Sequence, residues 1–176
     1  MQQLSEGDNN SFGQLFDGHS KSVLGYALRL CGGNMSLAED ISQTSWMRVI
    51  QNAQNYRQQG QFRAWLKTIV RNCAFDTFRK NKVNLNFEDL EESNSAILNI
   101  DPQDIENDFA KLQEIEKIQK QLDLLPTAQR MLFLSFINEK LSYAELANVY
   151  NLSVSAVKSH LFRIRKNLKS TIEDDT

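Results

Sequence analysis

The chain has 176 residues, enough for one large domain or two small ones, and its 41% hydrophobic and 24% charged composition is that of a globular protein. The formal net charge of −2 argues, taken alone, against a nucleic-acid ligand, because polyanion binders are usually basic. No apolar run approaches the roughly 20 residues of a membrane span, and the start Met1-Gln2-Gln3-Leu4-Ser5-Glu6 lacks the basic and apolar regions of a signal peptide.

Two cysteines, Cys31 and Cys73, cannot form a disulfide framework and point to a reducing cytosol, each most simply a small buried hydrophobe. All 7 glycines lie at or before Gly60, and only 2 prolines are present. That is too little punctuation for a turn-dense β fold. Alternating Val, Ile and Thr runs are absent, so the expected fold class is all-α.

The net charge conceals a pattern. Residues 61–82 hold 6 basic and 1 acidic residue, residues 83–116 hold 1 and 10, and residues 117–172 hold 9 and 3. Two basic blocks therefore flank an acidic one. Like-charge blocks repel and stay solvated. The acidic stretch also carries Pro102 and no sustained helical period, which makes it a linker over residues 83–111. Two domains then follow, at 1–82 and 112–172.

In the first domain, Ser36-Leu37-Ala38-Glu39 has the form of a capping box and predicts a helix through about Asn52. Leu37, Ile41, Val49 and Ile50 can supply its buried side. Asp40, Gln43 and Trp46, spaced by three, share about a third of the circumference. That stripe fits a solvated face with a half-buried Trp, and it also fits a protein-docking surface.

The next helix carries an apolar stripe of Phe62, Trp65, Leu66, Ile69, Val70, Cys73, Ala74 and Phe78 at steps of three and four. Around it stand Arg63, Lys67, Arg71, Asn72, Asp76, Arg79, Lys80 and Lys82. A basic outer face suits a phosphate backbone. The polar stretch before it, Asn52 to Gln61, lies beside aromatic residues that could stack an unpaired base.

In the second domain, Leu125-Pro126-Thr127 starts a helix running to about Asn138, mostly buried through Met131, Leu132, Leu134, Phe136 and Ile137. Ser142-Tyr143-Ala144-Glu145 is a second capping box, opening a short helix through Tyr150. Asn151 suits a left-handed break. Ser153 then caps a helix through about Leu168, with Val157, Leu161, Ile164 and Leu168 as its buried stripe. This is a helix-turn-helix pattern. The last helix carries Ser155, Lys158, Ser159, His160, Phe162, Arg163, Arg165, Lys166 and Lys169 on its other faces, which fits a DNA major groove.

In order, Asp40-Ile-Ser-Gln43-Thr-Ser-Trp46, Phe62-Arg-Ala-Trp65-Leu66, Arg71-Asn72 with Asp76, the acidic gap, Leu125-Pro126, Tyr143-Ala-Glu-Leu-Ala147 and Val157-Lys158-Ser159-His-Leu-Phe162-Arg163-Ile-Arg165 resemble an extracytoplasmic-function sigma factor of the sigma-70 family. The resemblance covers roughly residues 10–82 and 112–170. It implies a transcription initiation factor with no enzymatic activity, cofactor or metal, in which sigma regions 2 and 4 are joined by the linker. It implies core RNA polymerase, through its beta and beta-prime subunits, and promoter DNA as partners, with an anti-sigma factor or another recruiting partner besides. Asp40, Gln43 and Trp46 match the polymerase-docking part of region 2, where Trp46 departs from a usual aliphatic or Phe residue. Arg63, Trp65, Lys67, Arg71, Asn72, Arg79 and Lys80 fall in the part that reads and melts the minus-ten element. Ser155, Lys158, Ser159, Phe162, Arg163, Arg165 and Lys166 fall on the helix that reads the minus-thirty-five element. His160 has no assigned role. The alternative is a helix-turn-helix regulator that acts without docking on polymerase. An enzyme is disfavoured by the absence of a Gly-rich phosphate loop or a dense metal-ligand cluster.

Overall fold

The computed structural model describes residues 9–56, 62–85, 87 and 115–173, and every regular element among them is helical. The chain divides into two compact units, Met1–Val83 and Asn84–Thr176. Except for Val83 to Leu85 and Phe87, the acidic block to residue 114 lies outside the described residues.

The first unit packs three helices against one another: α1 (Asn9–Leu30), α2 (Met35–Gln51) and α3 (Phe62–Lys80). The long α1 was not anticipated. Its Val23, Tyr26, Ala27 and Leu30 are all buried. The α1–α2 turn needs Gly32 and Gly33, both at positive φ (60° and 83°), where a Cβ would be strained. The Gly33 N–H returns to the Leu28 carbonyl at 3.1 Å and closes the end of α1.

The N-cap of α2 is Asn34 rather than Ser36: its Oδ1 accepts from the Leu37 N–H at 3.1 Å. Both are good capping residues, and the turn at Gly33 releases the chain two residues earlier than the Ser-x-x-Glu pattern implies. Ile41, Trp46 and Val49 then face the core together with Leu66, Val70, Cys73, Ala74 and Phe78 of α3. Ile50, expected on the buried side, is instead 49% exposed. An Arg48–Asp76 ion pair (2.6 Å) ties α2 to α3 where both side chains are only partly exposed.

The second unit holds α4 (Ile115–Leu124), α5 (Thr127–Glu139), α6 (Tyr143–Tyr150) and α7 (Val154–Glu173). Helix α4 lays Ile118 and Leu122 into the core and packs on α7. Helix α5 is buried along nearly all its length, including Arg130. The Arg130 guanidinium donates to the carbonyls of Asp123 (3.1 Å) and Leu125 (2.9 Å). A buried cation is thereby satisfied by the unpaired carbonyls at the end of α4, where the helix dipole favours positive charge.

The capping box on α6 is complete: the Ser142 N–H and hydroxyl both donate to Glu145 Oε2 at 2.7 Å, and the Glu145 N–H donates to Ser142 Oγ at 3.3 Å. Those bonds hold the Glu145 carboxyl below its ordinary pKa. Asn151 breaks the chain at φ 52°, ψ 47°, and the Leu152 N–H bonds back to the Ala147 carbonyl. Ser153 caps α7 by accepting from the Ala156 N–H at 3.1 Å.

Candidate nucleic-acid and docking surfaces

Two sides of α7 do different work. Val157, Leu161, Ile164 and Leu168 are buried at the expected four-three-four spacing. Ser155, Phe162 and Lys166 are exposed, and Lys158, Ser159, Arg163 and Arg165 are partly so. None of these seven belongs to the core. Lys158 is steadied on the helix-turn-helix itself: its Nζ lies 5.7 Å from the centre of the Tyr143 ring, which stacks on Phe136 at 5.6 Å. Phe162 stands 37% exposed on the same face, an apolar ring outside the buried stripe.

His160 lies inside instead. It is buried, its Nδ1 finds no hydrogen-bond partner, and the ring of Phe87 lies 4.9 Å away. Phe87 also meets Tyr150 edge-on at 6.0 Å, and the Tyr150 hydroxyl bonds to Ser135 Oγ at 2.7 Å. Burial first, and then the Arg163 charge, push the His160 pKa below the ordinary imidazole value.

In the first unit the minus-ten candidates separate around α3. Trp65, Asn72 and Arg79 recur every seven residues and so share a stripe. Asn72, Arg79 and Lys80 are exposed. Trp65 joins a ring cluster with Tyr56 (5.0 Å) and Phe62 (5.8 Å) at the two described ends of the segment 57–61. Arg63 and Lys67 turn the other way and line a cleft against α1. Arg71 is buried, and its Nη2 donates to Asn72 Oδ1 at 3.3 Å, so it orients Asn72 from behind.

On α2, Asp40 and Gln43 are exposed as expected, but Trp46 is 5% exposed. Phe16 and Phe12 of α1 cover it, with ring centroids at 5.1 and 5.9 Å. The exposed row continues through Met47 and Ile50, which sequence reasoning missed. The signal was available: once Ile41, Ser45 and Val49 take the core, positions 40, 43, 47 and 50 make the outer stripe, and position 46 does not.

A three-helix bundle with an aromatic and basic helix, followed by a helix-turn-helix unit whose last helix is basic outside, defines a DNA-binding transcription protein. The sequence comparisons give the family. The sigma-70 region 2 family matches residues 15–83, and the sigma-70 region 4 family matches residues 115–168. The chain is 27% identical over 181 residues to the ECF RNA polymerase sigma factor SigW of Bacillus subtilis, covering 99% of this chain and 95% of that protein. It is 31% identical over 159 residues to the ECF RNA polymerase sigma factor SigE of Mycolicibacterium smegmatis, covering 90% of this chain and 60% of that protein. In fold it is similar to the sigma factor RpoE solved with the anti-sigma factor NepR from Bartonella quintana (TM-score 0.59, 22% identity, 94% of this chain and 99% of that one). The chain belongs to the sigma-70 family, as an extracytoplasmic-function sigma factor. It is a transcription initiation factor that directs RNA polymerase to specific promoters, and not an enzyme. A helix-turn-helix regulator without polymerase docking does not account for the region 2 match to residues 15–83.

Proposed function

We propose that the two units divide the work of promoter reading, with residues 1–82 docking on core polymerase and opening the minus-ten element and residues 112–172 reading the minus-thirty-five element. The observation that carries this reading is the separation of faces on α7. Its core residues hold the helix, and seven polar, basic or aromatic residues are left for DNA. Ser155, Lys158, Ser159, Phe162 and Arg163 stand toward the helix start, where a recognition helix reaches base edges, and Arg165 and Lys166 follow where it reaches phosphates.

In the first unit, Asn72, Arg79 and Lys80 face the separated strand, and the Tyr56–Phe62–Trp65 cluster offers rings for unstacked bases. Melting needs no bond chemistry, only a surface that stabilises the open form. Asp40 and Gln43 contact polymerase together with the exposed Met47 and Ile50. Trp46 sets the position of that surface from beneath. Each half-site binds weakly alone, and tethering both to polymerase raises their effective concentration.

The chain works in the cytoplasm, where its polymerase and DNA are. Among the described residues no helix is long and apolar enough to cross a membrane. Partner capture by an anti-sigma factor is part of the proposal, since RpoE was solved with NepR and the sigma factor CnrH with the cytosolic domain of CnrY. The acidic linker competes with DNA for the basic faces of the free protein. Reconstituted transcription with core polymerase, with start sites mapped, tests the whole reading: starts downstream of a shared pair of elements support it, and starts indistinguishable from those of core enzyme alone overturn it.

A further inference from the structure

Tyr143 opens α6, and its backbone is fixed there by the bonds between Ser142 and Glu145. Its side chain is partly exposed and stacks on the buried ring of Phe136 in α5, with centroids 5.6 Å apart and planes 10° from parallel. The Lys158 Nζ of α7 stands over this Tyr143 ring, 5.7 Å from its centre. Three helices thus meet at one cation: α5 sets the ring, α6 carries it and α7 brings the charge. Among the described residues no carboxylate is paired with Lys158. The ring therefore places the ammonium without neutralising it, because the attraction comes from the negative π face and not from a counter-charge.

That difference matters on a helix that reads DNA. A lysine is a compact charge on a flexible four-carbon stem, and unrestrained it meets whichever acceptor lies nearest. Phosphates recur at every nucleotide, so a wandering ammonium binds DNA without telling one sequence from another. A base edge offers its acceptors at one place only. In the major groove the O6 and N7 acceptors of guanine are the usual target of a lysine, which has donors and no acceptor. Reading them needs the ammonium held in one region before DNA arrives. An exposed cation–π contact favours such a held position by about two- to fivefold. An aliphatic residue at position 143 can still pack on Phe136 but has no such face.

We propose that Tyr143 is a positioning residue for promoter reading: its ring, fixed by Phe136 and by the cap of α6, holds the Lys158 ammonium for one guanine of the minus-thirty-five element. Sequence discrimination then depends on α5 and α6 as well as on α7. The proposal rests on the reading of α7 as the helix that reads that element.

Holoenzyme reconstituted from the full chain and core polymerase is challenged with promoter fragments randomised across the minus-thirty-five element, and the preference at each position is read by sequencing the bound fraction. Tyr143→Leu should lower the preference for guanine at one position by about two- to fivefold, with the other positions and the salt slope unchanged. Lys158→Ala should abolish the preference at that same position, and adding Tyr143→Leu to it should change nothing more there. Tyr143→Phe, which keeps the ring, should read as wild type. Because Tyr143→Leu also alters packing, a second series keeps the shape: phenylalanines of increasing ring fluorination at position 143 should lose the preference step by step as fluorine drains the π face. A loss spread evenly over all positions overturns the proposal, since it marks lost folding or a phosphate contact. A loss in Tyr143→Phe equal to that in Tyr143→Leu overturns it as well, since it marks a role of the hydroxyl, and so does a fluorinated series without gradation. If Lys158→Ala leaves every preference intact while Arg163→Ala shifts one, the Tyr143–Lys158 assignment fails alone; if neither moves any preference in the element, the reading of α7 fails with it.

Discussion

The ring of Phe87 lies 4.9 Å from the ring of His160, centroid to centroid, and covers an imidazole on the inner side of α7. A residue from the edge of the acidic block thus packs on the buried side of α7, the helix proposed to read DNA. His160 is 6% exposed with Nδ1 unpartnered, so its charged form is disfavoured in the folded unit.

That placement makes the second unit sensitive to acid. The folded pKa of His160 is lowered from an ordinary 6.5, so the unfolded chain takes up the proton first as pH falls. Stability from this group is complete above about pH 6.5 and is lost below it, at no more than about 1.4 kcal/mol per pH unit. Urea unfolding of the second unit between pH 5 and 7.5 should show this slope, and His160→Phe should flatten it. A wild-type curve flat across that range would contradict the assignment.

Arg163 is partly exposed on the outer face of α7. Arg163→Ala should reduce transcription from cognate minus-thirty-five promoters by the equivalent of about 1–3 kcal/mol while sparing binding to unrelated DNA. An equal loss on all sequences would make Arg163 a phosphate contact.

On α2 the exposed row predicts a graded effect on polymerase binding. Replacing Asp40 and Gln43 together by Ala should weaken co-purification with core polymerase. Met47→Asp should weaken it further, because it sets a charge in the apolar part of the contact without touching the core. Retention at the wild-type level in all these variants would place the docking surface elsewhere.

Asn151 at φ 52° is the hinge of the helix-turn-helix. Asn151→Gly should be nearly neutral and Asn151→Ala should cost about 1 kcal/mol, since Ala is penalised in the left-handed region and Gly is not. Thermal unfolding of the two variants makes the comparison, and equal midpoints would remove backbone conformation as the reason for Asn.

What could be read from the sequence was local. The Ser142–Glu145 box, the Asn151 break and the stripe of α7 are set within one or two turns, and each stands as expected. Asn34 and Ser36 are both competent caps, and the choice between them is made by the Gly32–Gly33 turn. The burial of Trp46 depends on Phe12 and Phe16 of another helix, and that of His160 on Phe87 from the other side of the acidic block. No helical period carries such information. The cleft against α1 was half legible: Arg63 and Lys67 stood out as basic, but His19 and Ser22, which line it from α1, emerge only from packing.

The turn before α7 is fixed by backbone geometry at Asn151 and by the Ser153 cap, and the helix itself by four aliphatic residues. Of the α7 residues proposed to face DNA, Ser155 touches the cap, its hydroxyl 2.9 Å from Ser153 Oγ, and Ser159, Phe162 and Arg163 are outside the buried stripe. On the proposed reading, promoter preference can therefore drift by substitution at Ser159, Phe162 or Arg163 with little change in folding, so that gene duplicates of such a chain could acquire new target genes quickly while keeping one scaffold.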